Sequence, residues 1–206
     1  MYDGGNDAGE FQMKCVIYDF ETLSLDVDNG VAVSLAMLNF DTSRFVDQPY
    51  EYEELLDYCD TIKYDVEDQV KVHKRVMDPG TLKWWGEQSK EAQALLKPSS
   101  EDVSITKTFE FFTTNAADGV DWFLTRRATL DQPLLKSLCE SSGNTMPYSY
   151  WKFREVVSLI NGLTFGHNIP DNFIPEGLKD KFVAHDPTAD ISMDVMRLQT
   201  IVQEIQ

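Results

Sequence analysis

Hydrophobic and polar positions follow two regimes along this chain. Near the N-terminus the apolar residues come in short, nearly unbroken runs, Lys14–Phe20 (KCVIYDF) and Val31–Phe40 (VAVSLAMLNF). Runs of that length suit strands buried on both faces. Asp26, Asp28, Asn29 and Gly30 between them carry turn chemistry, which predicts an antiparallel pair. Residues 44–50 predict a third strand, and Asp60–Tyr64 a weaker one. Further on, helix formers take over. Thr81–Ala94 (TLKWWGEQSKEAQA) and Ser104–Thr114 predict helices, and Gly119–Thr125 (GVDWFLT) predicts a strand. After Asp131 comes a helix carrying Leu134, Leu135 and Leu138, and Tyr148–Phe153 predicts a strand running into a helix over Glu155–Ile160. Gly162–Lys181 holds two prolines and three glycines and predicts an irregular loop. The last stretch is the most periodic, with Ile191, Val195, Leu198, Val202 and Ile205 on one helical stripe. Strands early and helices mixed in later predict an α/β sheet flanked by helices. A single domain over 13–206 follows a loose, glycine-containing arm at 1–12.

Composition narrows the setting. The chain has 206 residues, 42% hydrophobic and 26% charged, which suits one globular domain. No apolar stretch approaches the ~20 residues a membrane-spanning helix needs. The opening MYDGGNDAGE lacks the basic start and apolar core of a secretory signal. Cys15, Cys59 and Cys139 lie too far apart to suggest a disulfide framework or a zinc ribbon. A cytoplasmic, reducing location without a membrane partner is therefore expected.

Charge adds an exclusion. The formal net charge is −17, and residues 1–70 hold 17 acidic against 3 basic residues, whereas 71–206 hold 18 against 15. Coating duplex DNA through its phosphates needs a basic surface, so that mode is disfavoured. A nucleic-acid enzyme that recruits divalent cations is not, because the metals bring positive charge of their own.

Three fragments carry candidate chemistry. In Tyr18-Asp19-Phe20-Glu21-Thr22, residues two apart on a strand share a side, so Asp19 and Glu21 project together. Two adjacent carboxylates repel unless a cation neutralises them, and hard cations such as Mg²⁺ take oxygen ligands. If the strand has already ended, both acids simply face water. In His185-Asp186-Pro187-Thr188-Ala189-Asp190, Asp186 suits a helix N-cap and Pro187 the first helical position. His185 and Asp190 then occupy positions that touch across a helix start; the plain alternative is a capped helix with a surface histidine. Asp131, in Thr129-Leu130-Asp131-Gln132-Pro133, follows a strand and opens a helix, a common place for an acid.

Taken in order, DxE on a strand, an Asp opening a mid-chain helix and H-x₄-D on a C-terminal helix make a pattern. The chain resembles the histidine-containing branch of the DEDD, DnaQ-like 3′–5′ exonucleases from about Lys14 to Gln206. TLKWWGEQSKEA and the acid before Gln132-Pro133-Leu134-Leu135 look closest to small stand-alone phage exonucleases of the exonuclease A type and related bacterial exoribonucleases. The resemblance implies a ribonuclease H-like mixed sheet. It implies Asp19, Glu21, Asp131 and Asp190 as ligands of two Mg²⁺ or Mn²⁺ ions, with His185 as general base. It implies single-stranded DNA or RNA 3′ ends as substrate, nucleoside 5′-monophosphates as products, a host-cytoplasm location if phage-encoded, and a homodimer, since relatives form them. Phe20, Thr22 and Leu23 beside the first motif are candidates for the terminal base, and Arg126, Arg127, Lys179 and Lys181 for backbone phosphates.

Some features stand apart from that pattern. Relatives often carry an acid–arginine pair after an aromatic strand such as YWKFR, whereas Phe153-Arg154-Glu155 is followed here by two valines, so Glu155 receives no catalytic role. His167 lies four residues before Asp171, but the loop is broken by Pro170 and Pro175, which leaves His185 the better base. His73 has no acidic partner at suggestive spacing and reads as a surface histidine. Trp84 and Trp85 are adjacent on a helix, so at most one can face substrate and core packing is the default. Two other functions compete: a catalytically silent nucleic-acid-binding module on the same fold, and a metal-dependent nucleotide phosphatase.

Overall fold

The computed structural model describes residues 12–165, 167 and 169–205. Nearly all of the expected N-terminal arm lies outside the described residues. Strand β1 (Lys14–Thr22) pairs antiparallel with β2 (Ala32–Asp41), which is followed by α1 (Arg44–Asp47) and α2 (Tyr52–Asp57). Then come β3 (Asp60–Lys63), α3 (Val66–Lys71), α4 (Pro79–Trp85), α5 (Lys90–Leu95) and α6 (Thr108–Asn115). The second half adds β4 (Trp122–Thr125), α7 (Asp131–Ser141), β5 (Phe153–Glu155), α8 (Val156–Leu163) and α9 (Pro187–Ile205). The sheet order is β3-β2-β1-β4-β5, antiparallel from β3 to β1 and parallel from β1 to β5. This is the ribonuclease H-like arrangement of a mixed sheet flanked by helices.

Strand β1 is central and covered on both faces, which explains its unbroken apolar run. Val16, Tyr18 and Phe20 pack toward Phe112 of α6 and Leu134, Leu135 and Leu138 of α7. Cys15 and Ile17 point the other way, to Val156 and Ile160 of α8 and Ile191, Val195 and Leu198 of α9. Asp19 and Glu21 continue this second row, so they project on the face that α9 covers. Tyr18 and Tyr148 share a buried hydroxyl–hydroxyl hydrogen bond of 2.5 Å beneath the sheet. The three cysteines are free, and no helix among the described residues is long and apolar enough to cross a membrane.

Several expectations need correction. Residues 44–50 form no strand. Asp41 accepts hydrogen bonds from the Ser43 amide and hydroxyl, which turns the chain into α1 and stacks Phe45 on Phe40 at 5.8 Å. Thr81–Ala94 is two helices parted at Gly86–Ser89, because the Ser89 hydroxyl caps a new start by accepting from the Ala92 amide. Ser104–Thr114 opens as a 3₁₀ turn at Ile105–Lys107 before α6. Within Tyr148–Phe153 a 3₁₀ turn occupies Tyr150–Lys152, and pairing begins only at Phe153. Two helices went unread: α2, where Glu51 and Glu54 form a capping box, and α3, where the Asp65 carboxylate accepts from the Asp68 amide.

Leu135 is fully buried between α7 and β1, whereas Leu25 is 71% exposed. Leu135→Ala should destabilise the protein by about 2–5 kcal/mol in urea unfolding, through lost burial and a residual cavity. Leu25→Ala should stay within about 0.5 kcal/mol, as exposed surface changes do.

Candidate active site

Backbone amides assemble the acidic cluster. Strand period puts Asp19 and Glu21 on one side of β1, and the strand runs through both rather than ending before them. Between them, the Phe20 N–H donates to Asp131 Oδ1 at 3.4 Å. Asp131, the first residue of α7, is thereby drawn to the mouth of β1. At the other wall, Asp186 caps α9: its Oδ1 accepts from the Thr188 N–H at 2.9 Å and the Thr188 hydroxyl at 2.6 Å. His185 adopts a left-handed backbone, φ 65°, and its N–H donates to Asp190 Oδ2 at 3.1 Å. The expected contact across the helix start is present, made by the histidine's backbone.

Three of the five residues come closest together. One oxygen each of Glu21 and Asp190 and a ring nitrogen of His185 lie within 4.8 Å of one another. They line a cavity of about 590 Å³ that also holds Asp19. Oxygen donors with an imidazole nitrogen suit a hard or borderline divalent cation. Asp131 is almost wholly buried beside them.

Burial, with the fields of neighbouring carboxylates, pushes every one of these acids upward. Asp131 and Asp190 rise from 3.8 to about 7, each chiefly through burial. Asp19 rises through burial and then the fields of Asp131 and Glu21; Glu21 through burial and then the fields of Asp190 and Asp131. Burial lowers His185, keeping its imidazole neutral and able to accept a proton.

A second cavity of about 500 Å³ shares Phe20, Glu21 and Leu130 with the first. The two adjacent tryptophans divide there. Trp85 is buried and its Nε1 donates to the Thr22 carbonyl at 2.8 Å, tying α4 to the end of β1. Trp84 is 41% exposed and meets the His185 ring nearly edge-on at 4.7 Å between centroids.

The other expected residues divide as follows. Phe20 lines both cavities and Thr22 the second. Leu23 does not reach either; it is buried against Val31, Val33 and Trp85, and Leu25 takes the place beside the cavity. Arg127 is exposed at the first cavity, while Arg126 is committed to Asp194 and Asp171. Lys179 and Lys181 lie in the exposed loop, and Lys181 pairs with Glu53. His167 is exposed after α8 and lines neither cavity. Glu155 accepts from the Ala128 amide and Ser158 hydroxyl outside both. His73 is no plain surface residue: its Nε2 sits 3.4 Å from Asp68 Oδ2 and 3.5 Å from Ser104 Oγ. Asp194 and Arg197 were missed, although Asp190-x₃-Asp194-x₂-Arg197 on one helix puts all three on the same side.

Comparison with known proteins bears on the family and the fold. The family model described as the 3′–5′ exoribonuclease Rv2179c-like domain matches residues 14–201. An exodeoxyribonuclease of Enterobacteria phage T4 is 29% identical across 89% of this chain and 86% of its own length. Among solved structures, the zinc-ion-bound form of an E. coli ExoI–ssDNA complex aligns with a TM-score of 0.62 at 13% identity, over 95% of this chain. E. coli ExoI with a dA16 oligonucleotide gives 0.63 at 13% identity, over 94%. This chain spans only about two fifths of those ExoI chains (41%), and the likeness is one of fold.

The raised acids predict an inverted pH profile of stability. Folded Asp131 and Asp190 hold protons between 3.8 and about 7 that the unfolded chain has released. Their stabilising contribution is therefore full below 3.8 and lost as pH rises through about 7. Thermal unfolding of the metal-free protein should show a falling midpoint over that window. Mn²⁺ should restore the midpoint, more at pH 8 than at pH 5, and Asp190→Asn should flatten the slope.

Proposed function

The chain belongs to the 3′–5′ exoribonuclease Rv2179c-like domain family, and we propose on that basis that it is a divalent-metal-dependent exonuclease. It shortens single-stranded DNA or RNA from the 3′ end and releases nucleoside 5′-monophosphates. The observation that carries this reading is the convergence of Glu21, Asp190 and the His185 ring within 4.8 Å, beside Asp19 and an apolar second cavity.

Asp19, Glu21, Asp131 and Asp190 would hold two Mg²⁺ or Mn²⁺ ions. Bound, such ions supply Lewis acidity at the phosphate and charge compensation for the leaving oxygen. The protein's own groups do the remainder. His185, kept neutral by burial, accepts the proton of the attacking water at its ring nitrogen. Edge contact with Trp84 and the backbone bond to Asp190 hold that ring in place. The second cavity, walled by Phe20, Trp84 and Trp85, takes the terminal base by stacking, which every base allows. A splayed, unpaired end fits such a pocket, whereas a paired end must first be melted. Arg127 at the cavity edge meets the backbone phosphate.

A 5′-labelled oligonucleotide with Mn²⁺ should shorten as a ladder, in ribose and deoxyribose versions assayed side by side, and a blocked 3′ terminus should resist. Internal fragments appearing first would identify an endonuclease. Release of inorganic phosphate from mononucleotides without shortening would identify a phosphatase, and no cleavage a silent binding module.

His185→Ala should lower the rate by roughly 10²–10⁴-fold, the usual worth of a positioned base. The wild-type rate should rise with pH through a limb below the ordinary imidazole value of 6.5, and the variant should lose that limb. His167→Ala should leave the rate near normal. A severe loss in His167→Ala instead would move the base into the loop.

A further inference from the structure

One buried carboxylate in the first cavity belongs to none of the roles above. Asp194 lies one turn beyond Asp190 on α9, and its side chain is 2% exposed. Its Oδ1 accepts from Arg126 Nη1 and from Arg197 Nη1, both at 2.6 Å. Each arginine is also anchored to the 171–173 loop. Arg126 Nη2 donates to Asp171 Oδ1 at 3.1 Å and to the Asp171 carbonyl at 3.2 Å, and Arg197 Nε donates to the Phe173 carbonyl at 2.6 Å.

Both guanidinium groups line the same cavity as Asp19, Glu21 and Asp190. A guanidinium is the best organic partner a carboxylate can find, because its planar fork takes both oxygens at once. Those oxygens are the ones a metal ion needs. Yet among the described residues neither arginine hydrogen-bonds to Asp19, Glu21, Asp131 or Asp190, although both are near enough to act on Asp190 electrostatically. The knot Arg126–Asp171–Asp194–Arg197 is formally neutral, so it brings no net positive charge to the four acids.

We propose that Asp194 is a positioning residue that holds Arg126 and Arg197 off the acidic cluster and thereby keeps the site open to divalent cations. The proposal rests on the metal-dependent reading above. Without Asp194, the knot would carry an unpaired positive charge one turn from Asp190. An arginine would then fold onto the acids as an internal counterion and compete with the metal.

The test is Mn²⁺ binding by calorimetry to the wild type, Asp194→Asn and the double variant Asp194→Asn/Arg126→Met, with kcat as a second readout. Asp194→Asn should weaken Mn²⁺ binding roughly tenfold or more, the effect of a charge added close to the site. Its kcat should return to within about threefold of wild type at saturating Mn²⁺, since the added charge acts on metal occupancy. The double variant should recover Mn²⁺ affinity toward wild type. A purely structural knot predicts the reverse: a second cut weakens the loop further, and the double variant binds Mn²⁺ no better than the single one.

That result would overturn the proposal, as would unchanged Mn²⁺ affinity in Asp194→Asn. Should Asp194→Asn fail to fold by circular dichroism, Arg126→Met alone decides. Affinity equal to or above wild type supports a restrained competitor, and a tenfold loss refutes it. Absence of Mn²⁺ binding in the wild type would overturn the metal reading and this proposal together.

Discussion

Four carboxylates crowded at the end of a buried strand repel one another, and much of the surrounding architecture serves to hold them together regardless. The restraint comes from groups that do not titrate. The Phe20 amide, between Asp19 and Glu21, holds Asp131, and the His185 amide holds Asp190. Each bond ties an acid to the backbone beside another member of the site. Moving Asp131 or Asp190 out of the cluster therefore breaks a bond to the backbone, and parting the elements themselves would separate β1, α7 and α9. Burial of Leu134, Leu135, Ile191 and Val195 against β1 opposes that separation. Apolar packing at the sheet centre thus offsets electrostatic strain at its edge.

The same economy explains the aromatic side of the site. Trp84 and Trp85 are neighbours in sequence, and helical geometry sends them in different directions. Trp85 joins the core and donates to the Thr22 carbonyl; Trp84 stays half-exposed against His185. One dipeptide therefore both fixes the helix to the strand end and supplies a wall for the histidine. The irregular loop before α9 contributes in a comparable way, because Arg126 and Arg197 tie its backbone at residues 171–173 to the helix that carries Asp190.

How much of this was legible depended on whether the signal was local. The buried strands 14–20 and 31–40, the turn between them and the terminal helix were readable because an unbroken apolar run and a helical stripe each report burial directly. The short helices at 44–47, 52–57 and 66–71 were not. At four to six residues they show too little period; Glu51 and Asp65 cap the second and third, and Asp41 holds the turn that leads into the first. Residues 148–153 misled for the opposite reason: aromatic residues favour strands, but the backbone there finds a sheet partner only from Phe153 onward.

The candidate site divides along the same line. Asp19, Glu21, Asp131, His185 and Asp190 became candidates through the resemblance that their ordered motifs carry, because spacing on one strand or one helix start left each with a plain structural alternative. Prolines around His167 made His185 the preferred candidate base, and of the two only His185 lines the first cavity. Tertiary structure alone decided the rest: that Leu23 turns into the core against Trp85, and that Arg126 is spoken for by Asp194. Those outcomes depend on which side chain reaches a partner first across distant segments. Spacing along a chain measures direction on one element, and it carries no information about what stands opposite.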